Sequence, residues 1–167
     1  MRKVRSALLF LCAVAVVLLV LVPTAGAAQK VAASGIWAWG PDRPGDVPTL
    51  VRQANDNWFL TGAGWGYFTG TFEGDYEATY AIVFFQGGKS LLMKHAITFT
   101  GSVNGVAGTA EMRFTCRPQM WLNGNWEVIG GTGGLKHLVG HGSWTFAPEP
   151  WPDGWALMAY TGTVWLP

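Results

Sequence analysis

The sequence predicts an all-β protein: a single small antiparallel up-and-down β-barrel of about eight strands, behind an N-terminal signal peptide. Three observations carry this. Short strand-like stretches follow one another from Leu50 onward, separated by hairpin signals such as Asn104-Gly105. No stretch keeps a helical apolar period over three turns. The segment Gly130–Phe146, GGTGGLKHLVGHGSWTF, runs from a Gly-rich turn into a strand that carries Gly140 and Gly142.

Residues two apart on a strand point to one face, so Gly140 and Gly142 empty that face at consecutive positions. A strand weakened in this way makes sense where a sheet bends sharply, or where large side chains from opposite fill the gap. Ten tryptophans are available to fill it. A long run of strands leaves two unpaired edges unless the sheet closes, and closure leaves an interior as wide as side chains or one small ligand.

Taken in order, the chain opens with a leader. Arg2, Lys3 and Arg5 precede the apolar run Ala7–Val22, and Pro23-Thr24-Ala25-Gly26-Ala27 supplies a stop and a small-residue site. That is the layout of a secretory signal peptide, with cleavage expected after Ala27 or Ala28. The expected location is secreted or extracytoplasmic, with membrane association only if the leader is kept as an anchor. Residues 28–48 read as an irregular lead-in punctuated by Pro41, Pro44 and Pro48, with Gly35–Trp39 as a short strand inside it. The barrel domain is expected over 49–167.

Asn57–Glu73 reads as one long strand, with Trp58, Leu60, Gly62, Gly64, Gly66, Phe68, Gly70 and Phe72 on one parity. Glu77–Gln86 reads as the next, then a turn at Gln86-Gly87-Gly88-Lys89. Leu91–Val103 and Val106–Cys116 flank Asn104-Gly105. The second of these alternates Ala110, Met112, Phe114 and Cys116 against Thr109, Glu111, Arg113 and Thr115. Asn123-Gly124 reads as a further turn, followed by strands over Trp126–Ile129, His137–Phe146 and Trp155–Trp165. A proline-stiffened loop, PEPWPDG, precedes the last strand. Both parities of several strands are apolar, so an apolar outer face is expected to be covered by another copy or a covering segment, and homo-oligomerisation is a candidate partner relation.

Loss of the leader leaves eight basic residues against ten acidic ones, a net charge of −2. With no basic cluster, nucleic acid is not an expected partner. Cys116 is the one cysteine past the leader, so no internal disulfide is expected.

Candidate chemistry is sparse. Glu111 and Arg113 share a face. If that face lines the lumen, the carboxylate could orient or protonate a bound molecule while Arg113 holds its charge state; if it faces solvent, the pair contributes little. Glu77 is a weaker candidate of the same kind, placed at the start of its strand near the barrel mouth, and so is Glu127. His95 is in phase with Leu91, Met93, Ile97 and Phe99 and so points to an apolar face. His137 and His141, four apart, share a strand face too far apart to clamp an ion without His95 between them, and no metal site is expected. Trp58, Trp126 and Trp144, with His95, are the candidate ligand-binding side chains, set against the plainer role of filling the core. No nucleophile elbow, Walker loop, dinucleotide fingerprint or HExxH occurs, and no cofactor is expected.

The run GTGGLKHLVGHGSWTF resembles the Gly-Thr-Gly-x-Leu-x-x-Leu-x-Gly-x-Gly signature of the allene oxide cyclase-like, dirigent-related barrel superfamily, whose members include bacterial domains of unknown function. The matching residues are Gly131, Thr132, Gly133, Leu135, Leu138, Gly140, Gly142 and Trp144. GYFTGTFEGDYEATYAIVFF and ITFTGSVNGVAGTAEMRF resemble that group's early strands and its Thr-Gly-x-Val-x-Gly hairpin. The resemblance spans Asn57–Leu166 and implies a cavity-bearing barrel. In the plant cyclases such a barrel confines a fatty-acid epoxide near a glutamate and a bound water, and assembles as a trimer; dirigent proteins shape reactive intermediates. No N-terminal strand here offers a glutamate in comparable context. Binding of an apolar small molecule in the lumen therefore ranks first among functions. A non-catalytic structural or self-assembling surface role ranks second, and an allene-oxide-cyclase-like isomerase or cyclase third.

Overall fold

Alternation decides which way each strand faces, and the inward face here is the aromatic one. A computed structural model describes residues 28–86, 90–116 and 123–166. The leader expected over 1–27 lies outside the described residues, as do Gly87–Lys89 of the first hairpin turn. The strands are β1 (Gln29–Trp39), β2 (Thr49–Arg52), β3 (Trp58–Gly70), β4 (Phe72–Phe85), β5 (Ser90–Val103), β6 (Val106–Cys116), β7 (Asn123–Gly133), β8 (Val139–Phe146) and β9 (Ala156–Leu166). The described residues contain no α-helix, only a 3-10 turn at Ala54–Asp56.

Every pairing is antiparallel, and consecutive strands from β3 to β9 are neighbours. β1 closes the ring. It pairs with β9 along its whole length, Gln29↔Leu166 to Trp39↔Ala156, and with the end of β3, Gly35↔Gly70 to Trp39↔Gly66. The result is a closed eight-strand barrel plus one extra strand, because β2 adds only to the start of β3.

Four sequence expectations change. The stretch 28–48 is not irregular throughout, since Gln29–Trp39 is a full barrel strand. Its alternation is weak (Ala33, Gly35 and Trp37 face inward), and its partners are distant in sequence. Asn57–Glu73 is not one strand. Gly70 takes a left-handed φ of 97° and the chain turns there into β4. Asn123-Gly124 is not a turn. Both residues open β7, where Gly124 pairs with Cys116 and with Trp144. The outer face is less apolar than expected, because Thr98, Thr100, Glu111, Arg113, Asn125, Glu127, Ser143 and Thr161 all point outward on β5 to β9. Large exposed apolar side chains are limited to Val47, Leu50, Val51, Ile129 and Val139 among the described residues. Asn104-Gly105 does form the expected hairpin, with φ of 49° and 82°.

The lumen is packed at one end. Phe68, Phe72, Phe99 and Tyr160 interlock there with ring centroids 5.6–5.9 Å apart. Leu135 and Leu138, in the turn between β7 and β8, are buried and join the same core. Polar atoms in this half find carbonyls. Tyr160 Oη donates to Thr69 O (3.1 Å) and accepts from Phe72 N (3.0 Å). Trp126 Nε1 donates to the Ser143 and Thr161 carbonyls at 3.2 and 3.1 Å.

Gly140 and Gly142 do what their spacing suggests. The Trp126 indole lies across them, so that a Cβ on Gly142 would sit 2.6 Å from Trp126 Nε1 and closer still to the Thr161 carbonyl oxygen. Gly142→Ala should therefore destabilise the fold by about 1–3 kcal/mol through overpacking. Gly130→Ala is the matched control, because nothing lies within 4 Å of its added Cβ. Urea midpoints at equal slope measure both. Equal midpoints for the two variants would show that Gly142 is not a packing glycine.

Candidate functional site

The other end of the lumen is open and holds a cavity of about 260 Å³. Its lining comes from β1 (Trp37, Trp39), β3 (Leu60), β4 (Tyr80, Ile82), β5 (Met93, His95), β8 (Trp144, Phe146) and β9 (Ala156, Met158). The wall of β3 is kept thin by glycine. A Cβ on Gly64 would overlap the Trp39 ring, and one on Gly62 would overlap the Tyr80 hydroxyl. These two glycines let Trp39 and Tyr80 lie flat against the wall, and the space above them is the cavity. Its floor is Trp37, which rests on Phe114 at 4.3 Å between centroids and so divides the open half from the packed half.

His95 is the buried polar member of this lining, with the Tyr80 phenol near it. It is 6% exposed, with its ring 4.7 Å from Trp39, 5.6 Å from Trp37 and 5.9 Å from Tyr80. Burial among these rings disfavours the imidazolium and pushes its pKa down from 6.5 to about 3, so His95 is neutral near pH 7. Burial also raises the Tyr80 phenol above its ordinary range, with help from the Asp42 and Asp46 carboxylates of the loop after β1. Tyr76, below, is raised by burial and donates to the Ala38 carbonyl at 3.1 Å. Trp37 Nε1 lowers the Tyr76 phenol's pKa somewhat but meets no acceptor at hydrogen-bond geometry.

The sequence candidates divide. His95 and Trp144 line the cavity together. Trp126 is in the packed half with its N–H already bonded. Trp58 is half-buried at the start of β3 with the Arg52 guanidinium over its ring at 5.8 Å, and does not line the cavity.

Glu111, Arg113 and Glu77 all face outward, because the inward parity of their strands is taken by apolar side chains. Arg113 pairs with Glu127 at 2.7 Å, Glu111 accepts from Thr98 Oγ1 at 3.2 Å, and Glu77 pairs with Arg43 at 3.0 Å. Glu77 lies mid-strand, not at the start of one. These half-exposed pairs contribute little to stability. His137 is in an exposed turn and His141 on the outer face beside Trp165, so neither approaches His95. Among the described residues no three metal-ligating side chains come together. Sequence reasoning missed Trp37, Trp39 and Tyr80. The signal was there in Trp37-Ala38-Trp39, two rings on one face, inside a stretch read as lead-in.

No protein-family model matches the sequence, and no curated protein matches it. Solved structures do match the fold. A protein of unknown function of the DUF3224 family from Shewanella oneidensis MR-1 aligns at 14% identity and a TM-score of 0.57, over 80% of this chain and 96% of that one. Two pterocarpan synthase dirigent proteins align at 13% and 14% identity, each with a TM-score of 0.52. They cover 87% and 84% of this chain and 95% and 97% of their own. The architecture is thus a barrel fold shared with dirigent proteins and with a bacterial protein of unknown function, the fold that the glycine motifs suggested.

The His95 shift has a sign that can be tested. Between pH 6.5 and about 3 the unfolded chain holds a proton on this residue that the folded chain refuses. Stability from this group is present above pH 6.5 and lost as pH falls, at up to about 1.4 kcal/mol per pH unit. The unfolding free energy of the native chain should therefore fall relative to His95→Phe between about pH 6 and about pH 4, as urea titrations would measure. Parallel curves would mean that His95 takes up a proton in the folded state as easily as in the unfolded one.

Proposed function

We propose that this chain is an exported barrel that binds a small apolar molecule in the open half of its lumen. The observation that carries this is the division of one lumen into a packed end and an apolar, aromatic-lined cavity that reaches the mouth. A barrel used only as a scaffold gains by filling its interior, since each buried side chain adds contact and removes apolar surface from water. Here the wall glycines of β3 hold Trp39 and Tyr80 back from the centre. The volume sits just under the usual range of about 300–1,000 Å³ for small-molecule sites. The fitting ligand is accordingly compact, a terpenoid or small aromatic rather than a long acyl chain. The leader at the start of the sequence supports action outside the cytoplasm.

A cyclase or isomerase has less support. Glu77, Glu111 and Glu127 are on the outer face, and the cavity's titratable side chains are His95 and Tyr80, both kept neutral by burial. A purely structural role is supported only by the packed half.

Trp37, Trp39 and Trp144 line the cavity, so binding should quench or shift intrinsic fluorescence. Titration with a panel of compact terpenoids and aromatics is expected to give saturable quenching. Ala156→Phe, which places a ring in the cavity, should weaken the best binder by about tenfold or more while leaving the barrel's circular dichroism unchanged. If no panel member changes the signal, or if Ala156→Phe binds as well as the native chain, lumen binding is wrong.

A further inference from the structure

Among the described residues, two buried side-chain polar atoms lack a hydrogen-bond partner: Trp37 Nε1 and His95 Nδ1. Both belong to cavity-lining residues whose rings are 5.6 Å apart. The contrast with the rest of the lumen matters. Trp126, Trp144, Tyr76 and Tyr160 each hand their proton to a backbone carbonyl. Leaving a buried polar atom unpaired forfeits its hydration with no bond in return, so such atoms are rarely kept without use. Here both residues line the open half, Trp37 as its floor, while the two atoms themselves are shut off from solvent.

We propose that the cavity selects a neutral, hydroxyl-bearing molecule with a compact apolar body, and that its hydroxyl hydrogen-bonds to the His95 imidazole. This rests on the lumen-binding function above and narrows its ligand class. A neutral imidazole carries one N–H donor and one bare nitrogen acceptor. A half-turn of the ring exchanges which edge faces the cavity. A hydroxyl both donates and accepts, so it satisfies whichever nitrogen it meets. A ketone can answer only the N–H, and a hydrocarbon answers neither.

A carboxylate is selected against. Every described Lys and Arg is exposed, and none lines the cavity. The carboxylates of Asp42 and Asp46 act on Tyr80 at the rim, adding negative charge there. His95, kept neutral by burial, offers no counter-charge, and an unpaired ion in an apolar site is strongly disfavoured.

The test uses one carbon skeleton with different polar groups: bornane, borneol and the matching bornane carboxylate, titrated against the protein by tryptophan fluorescence. Borneol is expected to bind about tenfold more tightly than bornane, and the carboxylate more weakly than either. In His95→Phe the ratio of borneol to bornane affinity should fall to about one. His95→Gln, which keeps a donor and an acceptor, should restore part of the advantage. The ring-nitrogen NMR signals of His95 should move with borneol and not with bornane, a change that a merely structural histidine would not show. If bornane and borneol bind the native protein alike, the hydroxyl proposal fails while lumen binding stands. If borneol keeps its advantage in His95→Phe, the assignment to His95 fails. If no member of the series binds, both fail together.

Discussion

A closed eight-strand barrel has an interior about one layer of side chains across, and this width governs the rest of the molecule. A ring placed inside must be matched by missing bulk on the wall it faces. The chain meets this constraint by pairing rings with glycines: Trp126 against Gly140, Gly142 and Gly162, Trp39 against Gly64, Tyr80 against Gly62. Where the rings then meet one another, as Phe68, Phe72, Phe99 and Tyr160 do, the lumen is full. Where they are held against the wall, as Trp39 and Tyr80 are, a space is left. The same exchange of ring for glycine thus makes both the core and the cavity.

Most of this fold was legible in the sequence because its signals are local. The Asn104-Gly105 hairpin, the alternation of Val106–Cys116 and the paired glycines of β8 each depend on neighbours within a few residues. What was not legible depends on distant ones. β1 is a barrel strand because it finds both β9 and β3, from opposite ends of the chain, and nothing in Gln29–Ser34 announces that. The turn at Gly70 lacks the usual two-residue signature, and its left-handed φ is set by the way Thr71 and Phe72 are received by β1 and Tyr160. Asn123-Gly124 carries a strong local turn signal that tertiary pairing with β6 and β8 overrides.

The site was legible in part, for a similar reason. His95 could be placed on an apolar face from its phase alone, and Trp144 from its position in the glycine motif. Trp58 and Trp126 share the residue type but sit at other depths in the barrel, and depth is not a property of strand parity. Glu111 and Arg113 share a face, but parity does not say which face is the inside until the apolar neighbours Met112 and Phe114 claim it. Trp37 and Trp39 lie in a stretch that reads as a short strand within an irregular lead-in, and only its pairing with β9 and β3 places them in the lumen.

Three methionines report on the division of the lumen. Met93 and Met158 line the cavity, whereas Met112 is buried in the core cluster and is not part of the lining. Xenon, which enters apolar cavities regardless of what ligand they are built for, is a neutral probe of that division. With methyl-labelled methionine and xenon pressure, the Met93 and Met158 signals should shift in a saturable way while Met112 stays in place. No shift at Met93 and Met158, or an equal shift at all three, would contradict a lumen split into a filled end and an open one.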